Sequence, residues 1–258
     1  MIEFSDYPLG MILVVSIVVI LAASEIGRRL GARAAQRGGD NVATLEGSTL
    51  GLLALMISFT FAMALSRFDA RRDAVLNEAN AIGTTALRAR LLQAPDNTEG
   101  LKLLREYTQL RLDFAQRVPS PQEQIAMVAR SNAIHEMLWQ KAKAAAAKDN
   151  AMVPTGLFIQ TLNELIDNHE KRLTAVRARV PSIVLLALYG IAVVASAFSG
   201  YASGLETRRS RLPVYVMGIL IAVVIILIQD LDRPGIGFVT VSQQPMIDTA
   251  ASLAGYQE

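Results

Sequence analysis

Four apolar stretches decide what this chain can fold into: residues 8–26, 47–65, 181–201 and 212–229. Each comes close to the roughly 20 apolar residues that a helix, rising about 1.5 Å per residue, needs to cross a hydrocarbon core. A bilayer supplies no water to the backbone, so such stretches enter it as helices whose peptide groups bond internally. A content of 52% hydrophobic residues fits that setting, and the lipid bilayer is the first expected partner. The leading segment "MIEFSDY" is acidic where a signal peptide would be basic, so the first stretch reads as an uncleaved span.

The spans fall in two pairs around a polar insert, residues 66–180, in which apolar residues return at helical spacing. The stretch from Gly47 to Leu92 has no proline and predicts one helix about 70 Å long, half of it outside the bilayer. Breaks at "QAPDNTEG", "PSP" and "KDNAMVP" divide the rest into three more helices. The last of these ends at Pro181, which suits the start of the third span. The expected fold is all-α: four transmembrane helices with an extramembrane antiparallel helical bundle formed by the insert. Leu157, Ile159, Leu162, Leu165, Ile166, Leu173 and Val176 are the predicted core positions of its last helix. The corresponding divisions are 1–65, a first transmembrane hairpin; 66–180, the bundle; 181–229, a second hairpin; and 230–258, a tail. In that tail the alternation of Phe238, Thr240 and Ser242 with Val239 and Val241 predicts a short extended segment.

Several function classes are closed. With no cysteine there is no disulfide framework, thiolate metal site or cysteine nucleophile. A net charge of +2 from 25 basic and 23 acidic residues implies no nucleic-acid partner. No phosphate-cradling loop, nucleophile elbow or HExxH motif is present, so no catalytic residue, cofactor or enzymatic activity is expected. Glu78, His135, Glu164 and His169 invite a carboxylate-bridged metal centre. Glu164 and His169 are five apart rather than three, however, and no metal site is expected. A buried polar network of Asn77, Asn80, Asn163, Asp167 and His169 is predicted instead.

The turns after the first and third spans carry Arg28, Arg29, Arg33 and Arg37, and Arg208, Arg209 and Arg211. The positive-inside rule puts both in the cytoplasm and the bundle outside.

Small residues recur on the second span at Gly47, Gly51, Ala54, Ser58, Ala62 and Ser66, three or four apart on one face. They serve either close helix packing or the wall of a pore shared by several subunits. In the second case Thr49, Ser58, Ala62 and Ser66 line it and Phe59 or Phe61 narrows it. Charges follow at the pore mouth: Arg67 and Arg71 on one side, Asp230 and Asp232 after the fourth span. A mixed-sign collar of this kind also forms as a solvated, salt-bridged helix exit.

Three separated segments, "GLLALMISFTFAMALSRFDARRDAVLNEANAIG", "LNELIDNHEKRLTAVRARVP" and "LDRPGIGFVTVSQQP", resemble the bestrophin-like domain family of bacterial membrane proteins. The resemblance implies a bacterial cytoplasmic (inner) membrane protein analogous to bestrophins, which are pentameric anion channels with four spans per subunit and a second-span pore helix. Bestrophins line that helix with bulky apolar residues, a role that falls here to Ile57, Phe59 or Phe61. They keep their helical body in the cytosol, opposite to the arginine count. The function read from this is a homo-oligomeric ion channel or pore, with an ion as the permeant species and anions preferred if Arg67 and Arg71 face the axis. The alternative is a membrane-anchored interaction or sensory protein whose bundle binds a partner.

Overall fold

A computed structural model of the chain describes residues 7–37, 42–116, 120–206, 210–235 and 237–256. It consists of helices α1 (Leu9–Ala35), α2 (Ala43–Ala89), α3 (Asp96–Gln116), α4 (Pro121–Lys148), α5 (Leu157–Arg177), α6 (Ser182–Leu205), α7 (Leu212–Asp232) and α8 (Gln244–Ala254). Four of them, α1, α2, α6 and α7, are long and apolar enough to cross a membrane. Arg208 and Arg209 lie outside the described residues.

Helix ends fall where local chemistry puts them. Ser120 and Glu123 cap α4 reciprocally, the Glu123 N–H donating to Ser120 Oγ at 3.3 Å and the Ser120 N–H to Glu123 Oε2 at 2.7 Å. Proline stands at the N-cap of α6 and in the first turn of α4, α7 and α8, where its missing N–H costs nothing. The α1 helix runs nine residues past its expected end, because the polar residues there stay helical. Glu25 pairs with Arg28 at 2.7 Å and with Arg29 at 2.9 Å along it.

The chain forms two compact units. The first contains α1, residues 43–68 of α2, α6 and α7. Here α1 and α6 run parallel at backbone contact. A Cβ added to Gly27 would stand 2.0 Å from the Ala197 carbonyl oxygen, one on Gly200 2.0 Å from that of Ser24, and one on Gly204 2.2 Å from that of Arg28. Lipid tails are as apolar as leucine, so helices in a bilayer gain from packing at short range, and small residues permit it. The antiparallel α7 lies against α1, with the Tyr215 hydroxyl donating to Glu25 at 2.7 Å and the Arg233 guanidinium to the Tyr7 carbonyl at 2.7 Å. Among the spans, Gln229 donates to the Tyr189 hydroxyl at 2.8 Å, and that hydroxyl lies 3.0 Å from Ser16 Oγ.

The second unit contains residues 69–89 of α2 with α3, α4, α5 and α8. Its core includes Ile82, Leu104, Ile134, Leu138, Phe158 and Leu162. Of the core predicted for α5, Leu162, Leu165 and Leu173 are buried, Ile159 and Ile166 pack against the core, and Leu157 and Val176 are half-buried. The predicted extended tail is corrected. Residues 240–243 have no regular structure, and the chain then forms α8, which buries Met246 and Leu253 in this core. The alternation covered only five residues, whereas Met246, Ala250 and Leu253 repeat at helical spacing. Arg105 fixes the end of α8 by donating to the carbonyls of Leu253 at 3.1 Å and Tyr256 at 2.6 Å.

Because a methyl group at position 200 has no space, Gly200→Ala should destabilise the detergent-purified protein by about 1–3 kcal/mol. Gly190→Ala, where a Cβ meets nothing within 4 Å, should stay within about 0.5 kcal/mol. Thermal unfolding midpoints of the two variants check the pair.

Candidate pore helix and buried charge centre

Helix α2 buries one face in each unit: Leu53, Thr60 and Ala64 in the first, and Arg71, Val75, Glu78 and Ile82 in the second, each set at spacings of three, four or seven. On the opposite side Gly47, Gly51, Ala54, Ser58 and Ala62 are all exposed, and a Cβ on Gly47 or Gly51 would meet nothing within 4 Å. The small-residue row is therefore not where the described helices of this chain pack closely. That role belongs to Gly27, Gly31, Gly200 and Gly204, a signal present in the sequence as two G-x-x-x-G spacings.

The sequence-derived pore candidates divide between these faces. Ser58 lies on the exposed row with its hydroxyl donating to the Ala54 carbonyl at 2.9 Å. Ala62 and Ser66 are exposed as well, and Phe59, at the edge of the row, is 64% exposed. Phe61 and Ile57 pack against the core of the first unit. Thr49 is half-buried on the far side of the helix and donates to the Leu45 and Glu46 carbonyls at 2.9 and 3.0 Å. Among the collar charges, Arg67 is half-buried and Arg71 is buried, both on the side away from Ser58. The charged residues that continue the exposed row are Asp69, Arg72 and Asp73.

Asp230 and Asp232 hold backbone. Both oxygens of Asp230, which is 1% exposed, accept backbone N–H groups, from Phe238 and Val239 at 2.9 Å each. Gly237 is required for that reach, because a Cβ there would stand 2.2 Å from Asp230 Oδ1. Gly235 turns the chain at φ +76°, a conformation that glycine adopts without steric cost. Asp232 accepts the Val180 N–H at 2.9 and 3.1 Å, just where α5 has ended and α6 begins.

The second unit encloses a charge centre around Glu78, whose side chain is 0% exposed. Its Oε1 accepts the Tyr107 hydroxyl and lies 3.0 Å from Arg111 Nε, and its Oε2 accepts Arg172 Nη1 at 2.6 Å. Arg172 also donates to Gln243 at 2.9 Å. Tyr107 has one hydroxyl proton, given to Glu78, so its oxygen receives the Nδ1–H of His169 at 2.9 Å. His135 packs on Tyr107 at 4.8 Å and meets the His169 ring edge to face at 4.9 Å. The Nε2 atoms of both histidines are buried without a hydrogen-bond partner among the described residues.

The electrostatics follow from these neighbours. Burial pushes the Glu78 carboxyl up, but Arg111, His169 with its Nδ1 at 3.6 Å, Arg172 and Tyr107 together hold it well below the usual carboxylate range. Burial pushes the Tyr107 hydroxyl well up. His135 is drawn down to about 4, first by burial and then by His169.

The predicted polar network is corrected accordingly. Asn77, Asn80, Asn163 and Asp167 are exposed, and only His169 of the five enters the buried centre. The true members were marked by phase. Glu78 falls between Val75 and Ile82, Tyr107 three after Leu104, and Arg172 seven after Leu165, each on the apolar face of its helix.

Removing the carboxylate leaves two buried guanidiniums facing each other. Glu78→Ala should cost about 3–5 kcal/mol, and exposed Glu164→Ala about 0.5 or less, as read from denaturation in detergent.

A family model described as a bestrophin-like domain matches residues 13–246. No curated protein matches the chain. Among solved structures, the bacterial bestrophin homolog from Klebsiella pneumoniae, phased on zinc, is similar with a TM-score of 0.68 at 14% identity, over 96% of this chain and 99% of that one. A single-site variant of the same homolog gives a TM-score of 0.70 at 15% identity, over 95% and 99%. At such identity the likeness establishes the fold, and it is the all-helical fold with four membrane-length helices described above. Since the family match spans nearly the whole chain, this protein belongs to the Bestrophin-like family.

Proposed function

We propose that the protein is a homo-oligomeric ion channel of the bacterial inner membrane, with the exposed row of α2 turned toward a shared axis. The observation that carries this reading is the row itself. Gly47, Gly51, Ala54, Ser58 and Ala62 are exposed on a membrane-length helix, where a face spent on lipid has no use for a narrow groove. Several copies bringing that groove together would form a wall without full charges, with the Ser58 hydroxyl as its polar point and Phe59 as bulk beside it, and such a wall passes ions by size and wetting. Family membership supports the channel reading by analogy with bestrophins. We propose no enzymatic role and no cofactor.

Anion preference rested on Arg67 and Arg71 facing the axis. Both lie on the other side of α2, while the exposed row carries two aspartates, Asp69 and Asp73, and one arginine, Arg72. In our reading the collar therefore favours cations weakly. For the side of the membrane, the arginine-bearing turns keep the bundle outside. Arg67, Arg71 and Arg72 after the second span and Lys171, Arg172, Arg177 and Arg179 before the third count against this, but long domains translocate largely regardless of charge. A reporter fused after Asn150 should then be active outside; activity confined to the cytoplasm gives the bestrophin orientation instead.

The channel reading is tested in planar bilayers. Ser58→Trp and Ala62→Trp should each cut unitary conductance several-fold, and Val14→Trp on the exposed face of α1 should leave it unchanged. Under a tenfold potassium chloride gradient, Asp69→Asn with Asp73→Asn should move the reversal potential toward that of chloride. A wild-type protein that carries no current, or tryptophan variants that conduct like it, would leave the spans as an anchor for a partner-binding bundle.

A further inference from the structure

The centre around Glu78 is more elaborate than holding four helices requires, since a well-packed apolar core would do that at lower desolvation cost. Its formal charge at neutral pH is uneven: one carboxylate, Glu78 on α2, faces two guanidiniums, Arg111 on α3 and Arg172 on α5. Tyr107 on α3 is neutral, and from the segment before α8 the uncharged Gln243 meets Arg172. Into this surplus of positive charge the bundle places two imidazoles, His135 from α4 and His169 from α5, with ring centroids 4.9 Å apart. Each leaves its Nε2 buried with no hydrogen-bond partner among the described residues. The charged groups that act on His135 are His169, Glu78 and Arg111, and a proton arriving on its ring would find Glu78 already shared by both arginines and Tyr107, with His169 Nδ1 3.6 Å from Oε1.

We propose that His135, packed against Tyr107 and His169, makes the bundle a proton-responsive element, in which acidification charges its imidazole and releases the Glu78 region of α2 from α3, α4 and α5. The sign follows from the environment. His135 is held at about 4 in the closed bundle, against an ordinary value of 6.5. The closed state therefore stays neutral at this position where an opened state takes up a proton. Opening is favoured progressively as pH falls from 6.5 and gains nothing more below about 4. Over that window the opening equilibrium constant should rise by up to about 300-fold.

Hydrogen exchange on the full chain in detergent, together with the fluorescence of Trp139, tests the bundle without any current. Trp139 is the single tryptophan of the chain, four residues beyond His135, and packs against the bundle core. Between pH 7 and 4.5, after correction for intrinsic exchange, wild-type protection over residues 69–89 should fall at least tenfold, with a matching change in Trp139 emission. His135→Phe, which keeps an aromatic ring on Tyr107, and His135→Gln should both retain protection at pH 4.5. Wild-type protection equal at the two pH values overturns the proposal, as does a loss in both variants equal to that of wild type.

Discussion

The helical phase of α2 is the constraint on which the rest depends. At 3.6 residues per turn and with no proline from Ala43 to Ala89, residues three, four or seven apart share a face. Within the first unit α2 buries Leu53 and Ala64 against the apolar spans, and within the second it buries Glu78 and Ile82. The row from Gly47 to Ala62 is thereby left outward, and so are Asp69, Arg72 and Asp73.

Two kinds of close contact stabilise the two units, each suited to its solvent. In lipid, where apolar side chains gain nothing by leaving one another, backbone approach at Gly27, Gly31, Gly200 and Gly204 provides dispersion contact. In the second unit, burial of Ile82, Leu104, Phe158 and Leu165 removes apolar surface from water. Two arginines and a tyrosine offset the desolvation of Glu78. At the end of α7 the aspartates of "QDLDRPGIG" satisfy backbone N–H groups that a helix terminus and a tight turn would otherwise leave unpaired.

Much of the architecture was legible in the sequence. The four apolar stretches, the uninterrupted α2 and the breaks at "PSP" and Pro181 are governed by local rules, and the structure follows them. The facing of α2 was only half legible. Its small residues were visible as a row, but the sequence did not tell which helices approach closely, and the decisive glycines stood on α1 and α6. A buried polar network was expected, but apart from His169 with the wrong members, because it was assembled from neighbouring polar residues rather than from helical phase. Glu78, Tyr107 and Arg172 stood at core phase, and a phase count without regard to polarity would have found them. Asn77 and Asn80, the more conspicuous pair, are solvated. The helix α8 was hidden behind a short alternation that its own Met246, Ala250 and Leu253 spacing contradicted.

An axial pore needs an axis, and one chain with four spans supplies none. The mass of the detergent-purified protein by native mass spectrometry, with every span residue intact, therefore tests the central claim most directly. A closed ring of four or more subunits is the predicted result, because only then can the exposed rows of several α2 helices enclose a path. A monomer or a dimer would leave those rows facing lipid and would contradict the channel.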